Sequence, residues 1–304
     1  EFNICIALIN YKQFLKFLNL IIMIMIIWIA SYPKSGNTWV RSFLSSYYYT
    51  NNGEFNFELL KNIPQYPTSR FFRTKIERPE DIINQWSQSQ EEICKRYKII
   101  FLKTHNALIT INNKPFTLPR FTKGFIYIVR DPRNVVTSLK NHYSFNYDEA
   151  LDFMNNQKKY IFDNRKKFKI DYSTTHFLTS WSSHYKSWIN TNLFPKYILK
   201  YEDLIKKPAK IFRELIEFTN KISNLEKDIN QIKLNKSIES TNFAKLQSLE
   251  NENQFNEYIL DKNKKKIKFF LLGPKNNWKS KLTEKFGKKI NSVFTKDINK
   301  LDYN

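Results

Sequence analysis

The spacing of apolar residues predicts strands that alternate with helices along most of the chain. An unbroken apolar run over residues 25–30 is typical of a buried strand, and residues 36–49 carry apolar positions at helical spacing. Other predicted strands are 99–103, 125–129 and 197–199, and other predicted helices are 80–94, 132–142, 177–189 and 209–218. This alternation predicts a three-layer α/β domain, with a central, mostly parallel sheet flanked by helices.

The first 24 residues do not fit this alternation. The apolar run from Leu20 to Ala30 has 11 residues, whereas a membrane-spanning helix needs roughly 20. It continues directly into Ser31 and Tyr32 without a small-residue cleavage site. We therefore predict no transmembrane span and one domain over residues 25–304. Residues 1–24 are expected to be a dispensable extension or a mis-assigned start.

The composition is strongly basic, with 50 Lys and Arg against 28 Asp and Glu, a net charge of +22 over 304 residues. Such a charge favours anionic partners, although lysine recurs throughout and most of it is expected to be solvated surface. The two cysteines and four histidines form neither a disulfide framework nor a metal-ligand pattern. This predicts a cytoplasmic, reducing location and no metal cofactor.

The first candidate site is the segment Y-P-K-S-G-N-T-W at residues 32–39, between a strand and a helix. Free backbone amides at a helix start attract anions. Lys34 adds a charge, Gly36 allows close backbone approach, and Ser35 and Thr38 add hydroxyl donors. The Walker spacing GxxxxGK[ST] is absent, which counts against a nucleotide kinase or NTPase. The alternative is a tight turn with an incidental lysine.

The second candidate site begins at Arg130, where a hydrophobic strand ends and Asp131-Pro132 starts a helix. Ligands of open α/β sheets bind at this carboxyl edge of the strands. Arg130 offers the fork geometry that suits a terminal phosphate, and Ser138 follows almost two helical turns later. The alternative is a capped helix with a surface arginine.

The third candidate site closes the strand at residues 99–103. Lys103 and His105 lie two residues apart, so both are expected to point into one cleft. A histidine near its ordinary pKa can act as a general base, although a strand-end histidine bonded to a carbonyl is the alternative. The other three histidines, His142, His176 and His184, are predicted to be structural.

These three motifs together resemble those of sulfotransferases that use 3′-phosphoadenosine 5′-phosphosulfate (PAPS). The first segment matches seven of the eight positions of the family form Y-P-K-S-G-T-T-W, with Asn37 in place of a threonine. The second matches R-x-x-R/K-D/N-V-x-x-S through Arg130 and Ser138, and the third matches K-T-H. The resemblance implies a fold like that of P-loop nucleotide kinases and no metal.

The resemblance also implies a set of donor-binding residues. Lys34 would contact the bridging oxygen, and Trp39 would lie against the adenine. The full set is Lys34, Ser35, Gly36, Asn37, Thr38, Trp39, Arg130, Ser138, Tyr201, Thr241, Phe243 and Gly273. The family's terminal R-K-G motif is altered, because Leu271-Leu272 replace its basic pair. Either Lys275 and the lysines at 262–268 substitute for that pair, or they belong to a solvated loop.

The implied reaction transfers a sulfuryl group to an acceptor hydroxyl, with His105 as the base. Lys34 and Lys103 would stabilise the departing adenosine 3′,5′-bisphosphate (PAP). A carboxylate base remains the alternative, and Glu54 and Glu58 lie in the expected loop. The other functions left open are a nucleotide kinase or NTPase and a basic nucleic-acid-binding protein, but no nucleic-acid-binding motif is present.

The acceptor is expected to contact residues 51–80 and 144–175, which are rich in aromatic and basic residues. The aromatic residues are Phe55, Phe57, Tyr66, Phe71, Phe72, Tyr147, Phe153, Tyr160, Phe162 and Phe168, and the lysines are Lys158, Lys159, Lys166 and Lys167. Aromatic faces suit sugars and phenols, and lysines favour an anionic molecule. We therefore expect a carbohydrate or small alcohol rather than a phenol or steroid.

Overall fold

The computed structural model describes residues 25–163, 171–224, 228–252, 255, 259–260 and 266–303. The predicted extension at 1–24, the aromatic residue Phe168 and the lysines at 166–167 and 262–265 lie outside these ranges. The strands are β1 (Met25–Ser31), β2 (Ile99–Thr104), β3 (Thr110–Ile111), β4 (Lys114–Pro115), β5 (Thr122–Val129), β6 (Tyr160–Asp163), β7 (Asp171–Phe177), β8 (Lys196–Lys200), β9 (Ile259–Leu260) and β10 (Lys266–Ile267).

Helices occupy most of the connections. They are α1 (Asn37–Tyr49), α2 (Asp81–Arg96), α3 (Pro132–Tyr143), α4 (Tyr147–Asn155), α5 (Trp181–Ile189), α6 (Tyr201–Lys206), α7 (Pro208–Ser223), α8 (Gln231–Ser240), α9 (Phe243–Asn251), α10 (Trp278–Lys281) and α11 (Glu284–Lys300). Across the described ranges, no helix combines the length and apolar character that crossing a membrane requires.

The central sheet has four parallel strands in the described residues, in the order β2-β1-β5-β8. β1 lies between two neighbours, with Trp28 opposite Leu102 on one side and Phe125 on the other. A parallel strand covered on both faces is apolar along its whole length. This explains the unbroken hydrophobic run that predicts β1.

A hydrophobic core lies on each face of the sheet. Trp28 packs on one face in a cluster with Trp188, and Ile27 packs on the other in a cluster with Phe43 and Phe212. Residues on successive strand positions point to opposite faces, so β1 supplies both cores. The predicted three-layer α/β architecture is confirmed.

The predicted helix at 177–189 begins four residues too early. Phe177 is the last residue of β7, and α5 starts only at Trp181. Thr179, with φ of 59°, turns the chain, and the Ser180 side chain caps α5 by accepting from the Ser183 amide. The helical spacing of Leu178 and Trp181 is misleading. Both side chains are buried, but Leu178 lies in the turn between β7 and α5, and only Trp181 belongs to the helix.

The carboxyl ends of the central strands meet at one edge of the sheet. β1 leads into residues 32–36, β2 into His105, β5 into Arg130 and β8 into Tyr201. On β2 itself, the Lys103 carbonyl accepts a hydrogen bond from the Tyr66 amide at 2.8 Å. This contact brings the loop before α2 to the same edge of the sheet. The three predicted motifs therefore converge on this edge.

Candidate active site

A cavity of about 910 Å³ opens at this edge of the sheet. We call one part of its wall the loop side. It is formed by Lys34, Gly36, Asn37, Thr38, Trp39, Arg130, Ser138, Tyr201, Phe243 and Gly273. The opposite part, the hairpin side, takes its name from β6 and β7. It is formed by Tyr143, Phe145, Phe153, Lys159, Ile161, Phe162, Asp163, Thr174 and His176.

Gly36 sets the shape of the loop side. It immediately precedes α1 with φ of 102°, a left-handed conformation that glycine adopts without strain, and no side chain caps the helix. A Cβ atom on Gly36 would lie 2.5 Å from the Tyr201 ring. The residue therefore lets the chain turn while Tyr201 packs against the turn, and it leaves the helix start open to a ligand.

Lys34 lies half-buried beside the start of α1. Its Nζ is 3.3 Å from Nδ1 of His142 and 3.8 Å from the centre of the Phe269 ring. Burial and, next, the charge of Arg130 lower its pKa to about 7, although Glu250 acts in the opposite direction. An anion bound here would favour the charged form of this lysine.

The polar residues of the loop differ in their roles. The Asn37 amide group donates to the Ile29 carbonyl at 3.0 Å and to Ser31 Oγ at 3.2 Å, so it ties the loop to β1. Ser35 is buried behind the cavity wall, and its hydroxyl has no partner among the described residues. Thr38 and Ser138 line the cavity directly.

Arg130 holds the loop from the neighbouring strand. Its Nη1 donates to the Lys34 carbonyl at 2.9 Å, and its guanidinium lies 4.1 Å from the centre of the Tyr201 ring. Its buried Nε has no partner within the described ranges. Arg130 thus has a fixed orientation and lines the cavity with a guanidinium, the group whose N–H donors suit phosphates.

Of the carboxyl-terminal residues predicted to contact the donor, two line the cavity and one does not. Phe243 and Gly273 line the cavity, and a Cβ atom on Gly273 would lie 2.1 Å from the Phe243 ring. Thr241 lies outside the cavity wall, because its hydroxyl donates to the Ser237 carbonyl at 2.6 Å at the end of α8. Leu271 and Leu272 do line the cavity.

Only one of the described lysines considered as substitutes for the lost basic pair reaches this wall. Lys268 lines the cavity, whereas Lys275 lies outside its lining.

His105 and Lys103 lie at the boundary between the two sides. Nδ1 of His105 is 2.7 Å from the Ser31 carbonyl oxygen. A carbonyl only accepts, so Nδ1 carries the proton and Nε2 carries the lone pair. Lys103 Nζ donates to Gln65 Oε1 at 3.0 Å, and both predicted side chains line the cavity.

Two histidines predicted to be structural line the cavity instead. His142 lies four residues after Ser138, so both reach the cavity from one face of α3. Burial and then the charge of Lys34 hold the pKa of His142 well below its ordinary value. His176 enters from β7 and contacts the His105 ring edge to face, with ring centres 5.6 Å apart.

His184 has the structural role that the sequence predicts. It is buried, with Nδ1 2.8 Å from the Tyr127 hydroxyl and Nε2 donating to the His105 carbonyl at 3.0 Å. Burial lowers its pKa to about 4. His184 therefore stays neutral and holds the backbone of His105.

The two glutamates proposed as an alternative base lie elsewhere. Glu54 pairs with Lys236 at 3.1 Å, and Glu58 lies on the surface 3.9 Å from Lys61. Neither lines the cavity. Asp163, on β6, is a carboxylate that does line it.

The hairpin side draws on fewer of the predicted aromatic residues than expected. Phe55 and Phe57 pack in a separate cluster with Leu246 and Phe270. Within residues 51–80, it is Gln65 and Thr68 that line the cavity. Lys159 lies 4.3 Å from the centre of the Phe153 ring and, like Phe153, lines the cavity as predicted.

Sequence comparisons identify known proteins that are similar to this chain. The sequence matches the family model of the sulfotransferase domain over residues 26–302. Sulfotransferase 1B1 of Canis lupus familiaris is 25% identical over 274 residues, which cover 89% of this chain and 82% of the relative. Luciferin sulfotransferase of Photinus pyralis is 25% identical over 289 residues, with 89% and 70% covered.

Two solved structures have the same fold. Mouse sulfotransferase SULT7A1 complexed with PAP has a TM-score of 0.53 and 17% identity, covering 90% of this chain and 84% of that one. Retinol dehydratase in a complex with retinol and PAP has a TM-score of 0.52 and 17% identity, covering 90% and 81%. In the described residues, no group of three or more His, Cys, Asp and Glu side chains has a metal-binding arrangement.

Proposed function

Because this chain belongs to the sulfotransferase family and transfers sulfuryl groups from PAPS, we propose that His105 is its base and that a hydroxyl of a carbohydrate or small alcohol is its acceptor. The observation that carries the proposal is the orientation of His105. Its Nδ1 is held by the Ser31 carbonyl, which leaves the lone pair on Nε2, and its ring lines the same cavity as Lys34.

The loop side suits the donor. PAPS carries negative charge at both its 5′-phosphosulfate and its 3′-phosphate. The open start of α1 and Lys34 form one positive region, and Arg130 with Ser138 forms another. Trp39 and Phe243 offer aromatic faces to the adenine. The PAP bound by mouse sulfotransferase SULT7A1 is the product that this donor would leave.

The chemical step moves one sulfuryl group between two oxygens. The acceptor oxygen forms a bond to sulfur while the bond from sulfur to the bridging phosphate oxygen breaks. The acceptor proton moves to Nε2 of His105, and PAP leaves with the electron pair of the broken bond. Lys34 and Lys103 stabilise the charge that develops there, so catalysis depends on position and electrostatics.

The hairpin side supports a polar acceptor. Lys159, Asp163, Thr174 and His176 are interspersed with aromatic side chains on this wall. Polar groups between aromatic faces suit a hydroxylated ring better than the apolar surface of a steroid. By its name, luciferin sulfotransferase acts on a small molecule, and we expect a small acceptor here as well.

We also propose a cytoplasmic location. Cys94 is a buried free thiol, and burial raises its pKa to about 12. An unpaired thiol such as that of Cys94 is typical of a reducing compartment.

Thermal denaturation with two nucleotides tests the donor. PAP should raise the melting temperature well above the effect of ATP with magnesium, because the loop side lacks the Walker spacing and has Arg130 and Ser138 for a second phosphate. Equal stabilisation by both ligands would favour a nucleotide kinase.

Transfer of labelled sulfuryl groups to a panel of sugars, alcohols and phenols tests the acceptor. We expect sugars and small alcohols to be sulfated. Transfer to simple phenols alone, with every sugar and alcohol inert, would contradict this class of acceptor.

A further inference from the structure

Lys159 is a charged side chain on the hairpin side that the reaction described above does not use. It lies just before β6, where its carbonyl accepts from the Leu178 and Thr179 amides at 2.8 and 3.1 Å. Lys159 and Ile161 are two residues apart and both line the cavity, as residues on one face of a strand do. The backbone of the hairpin therefore directs Lys159 towards the cavity.

The ammonium group of Lys159 is within reach of a ligand. Its Nζ lies 4.3 Å from the centre of the Phe153 ring, which is another part of the cavity wall. The side chain is only half-buried, and Nζ is not among the polar atoms of the described residues that are both shielded from solvent and without a partner. A molecule in the cavity can therefore approach this nitrogen beside the Phe153 ring.

No protein carboxylate neutralises this ammonium group in the part of the chain that the structure describes, where its charged end contacts the Phe153 ring. Asp163, the acidic residue of the same wall, lies four residues further along the hairpin, where its amide donates to Thr174 Oγ1 at 2.7 Å. Burial lowers the pKa of Lys159. A cation that is partly removed from water without a counter-ion is costly, and an anionic group of a ligand would offset that cost.

The position of Lys159 relative to the proposed base also fits a ligand that contacts both. Ile161 pairs with His176 across the hairpin, and the His176 ring contacts the His105 ring with centres 5.6 Å apart. Lys159 is one step of two residues, roughly 7 Å, along the strand from Ile161. A six-membered ring with substituents at opposite ends can span such an interval.

We propose that the Lys159 ammonium group binds an anionic group of the acceptor, at the end of the molecule opposite the hydroxyl that His105 deprotonates. This inference rests on the proposed function and narrows its substrate class to carboxylated sugars and cyclic hydroxy acids. The Phe153 ring supports the ammonium group on one side, and the carboxylate binds it from the cavity. Such a site discriminates against a neutral analogue, because the analogue leaves the charge of Lys159 without a partner.

Two adjacent lysines provide matched variants. Lys159→Met removes the charge but keeps a side chain of similar length, Lys159→Arg retains the charge, and Lys159→Glu reverses it. Lys158→Met is the control, because Lys158 is exposed and lies outside the cavity lining. The control takes the same single charge from the net charge of +22, so it measures the effect of overall charge alone.

The experiment compares kcat/KM for acids with that for their primary amides at saturating PAPS. One pair is trans-4-hydroxycyclohexane-1-carboxylate and its carboxamide, and the other is methyl glucopyranosiduronate and its uronamide. We expect the parent enzyme to prefer the acid of each accepted pair at least about tenfold. Lys159→Met should bring that ratio close to one through a higher KM for the acid. Lys159→Arg should keep most of the preference, Lys159→Glu should reverse it, and Lys158→Met should leave it unchanged.

The contrary outcomes are distinguishable from one another. No preference for the acid in the parent enzyme, a preference that survives in Lys159→Met, or an equal loss in Lys158→Met would overturn the role of Lys159 and leave the proposed transfer intact. Calorimetric titration with PAP checks the fold of each variant, and if Lys159→Met does not fold, equal preferences in Lys159→Arg and Lys159→Glu would overturn the inference. Transfer to none of the four probes, with PAP still bound, would overturn the proposed acceptor class as well.

Discussion

The loop side and the hairpin side of the cavity are built in different ways. The loop side takes five of its ten residues from one continuous segment, residues 34–39. The other five come singly from the ends of β5 and β8, from α3 and α9, and from Gly273. The hairpin side collects separate residues from α3, α4, β6 and β7. The comparison indicates that half of the proposed donor site is specified by local sequence, whereas the proposed acceptor site depends on how distant segments pack.

The two sides also differ in their electrostatics. The loop side brings the cations Lys34 and Arg130 together at an open helix start, a combination suited to anions in general. The hairpin side presents the neutral His176 together with one basic residue, Lys159, and one acidic residue, Asp163, among aromatic rings. The loop side is therefore suited to anionic groups, whereas the hairpin side is suited to a ligand that fits its aromatic walls and forms hydrogen bonds.

The largest expected effect is the loss of kcat when His105, at the boundary between the two sides, is substituted. His105→Asn can keep a donor near the position of Nδ1 for the Ser31 carbonyl but removes the basic nitrogen Nε2. We expect kcat to fall by about 10³-fold, within the usual range for a general base. PAP affinity should change less than about twofold, as a base that contacts only the acceptor requires. Steady-state kinetics and calorimetry measure the two quantities, and an equal loss in both would assign His105 to the donor.

The next largest effect is on PAP affinity, and it should differ between two lysines that line the same cavity. Lys34→Met should weaken PAP binding about 100-fold, because a charged hydrogen-bonding group is lost from the loop side. Lys159→Met, on the hairpin side, is the matched control and should leave PAP affinity unchanged within about twofold. Calorimetric titration with PAP measures both, and similar losses would contradict the division into two sides.

Lys34→Met should also raise the melting temperature of the protein without donor. Burial disfavours the charged form of Lys34, and methionine removes that cost while filling similar space. An increase of roughly 2 °C is expected, and it should disappear when PAP is present at saturation. A lower melting temperature would mean that the contacts of Lys34 with His142 and Phe269 stabilise the free protein.

The sequence predicts much of the sheet and the loop side, because their signals are local. The apolar run of β1 reflects two buried faces, and Asp131 with Pro132 marks the start of α3 through the cap that the structure contains. The segment at 34–39 brings its residues together by chain continuity alone. Such features need no knowledge of the rest of the fold.

The hairpin side could not be predicted in the same way. His176 reaches the cavity because β7 packs beside the end of β2, and nothing near it in sequence indicates that contact. His142 did carry a signal, since it lies one helical turn beyond Ser138 on α3. Thr241 lies outside the cavity lining, and its hydroxyl donates to the end of α8, a local contact that its motif does not reveal.

A fourth prediction uses two glycines that differ in their surroundings. Gly273→Ala would place Cβ 2.1 Å from the Phe243 ring, at a left-handed φ of 48°, and so displace an aromatic wall of the loop side. We expect KM for PAPS to rise about tenfold, the effect of roughly 1.4 kcal/mol. KM for the acceptor should stay unchanged if the two sides are independent.

Gly287→Ala is the matched control. Gly287 lies within α11, where a new Cβ would be 3.8 Å from the Trp278 ring, an ordinary van der Waals contact. Alanine in a helix interior should stabilise the protein by about 0.5–1 kcal/mol without altering either KM. If Gly273→Ala raised both KM values together, the loop side and the hairpin side would have to be coupled.

The smallest expected effect is a pH dependence confined to the loop side. The pKa of Lys34 is about 7 in the free protein, so the side chain is charged below pH 7 and loses its proton as the pH rises. PAP binds the charged form, and its affinity should therefore fall about fivefold between pH 7 and pH 8. His142 stays neutral throughout this interval because its pKa lies well below its ordinary value, and phosphate groups, with a second pKa near 6, are already ionised. Lys34→Arg keeps its charge and should flatten the profile, which calorimetry at several pH values would measure; an unchanged slope in Lys34→Arg would assign the dependence to another group.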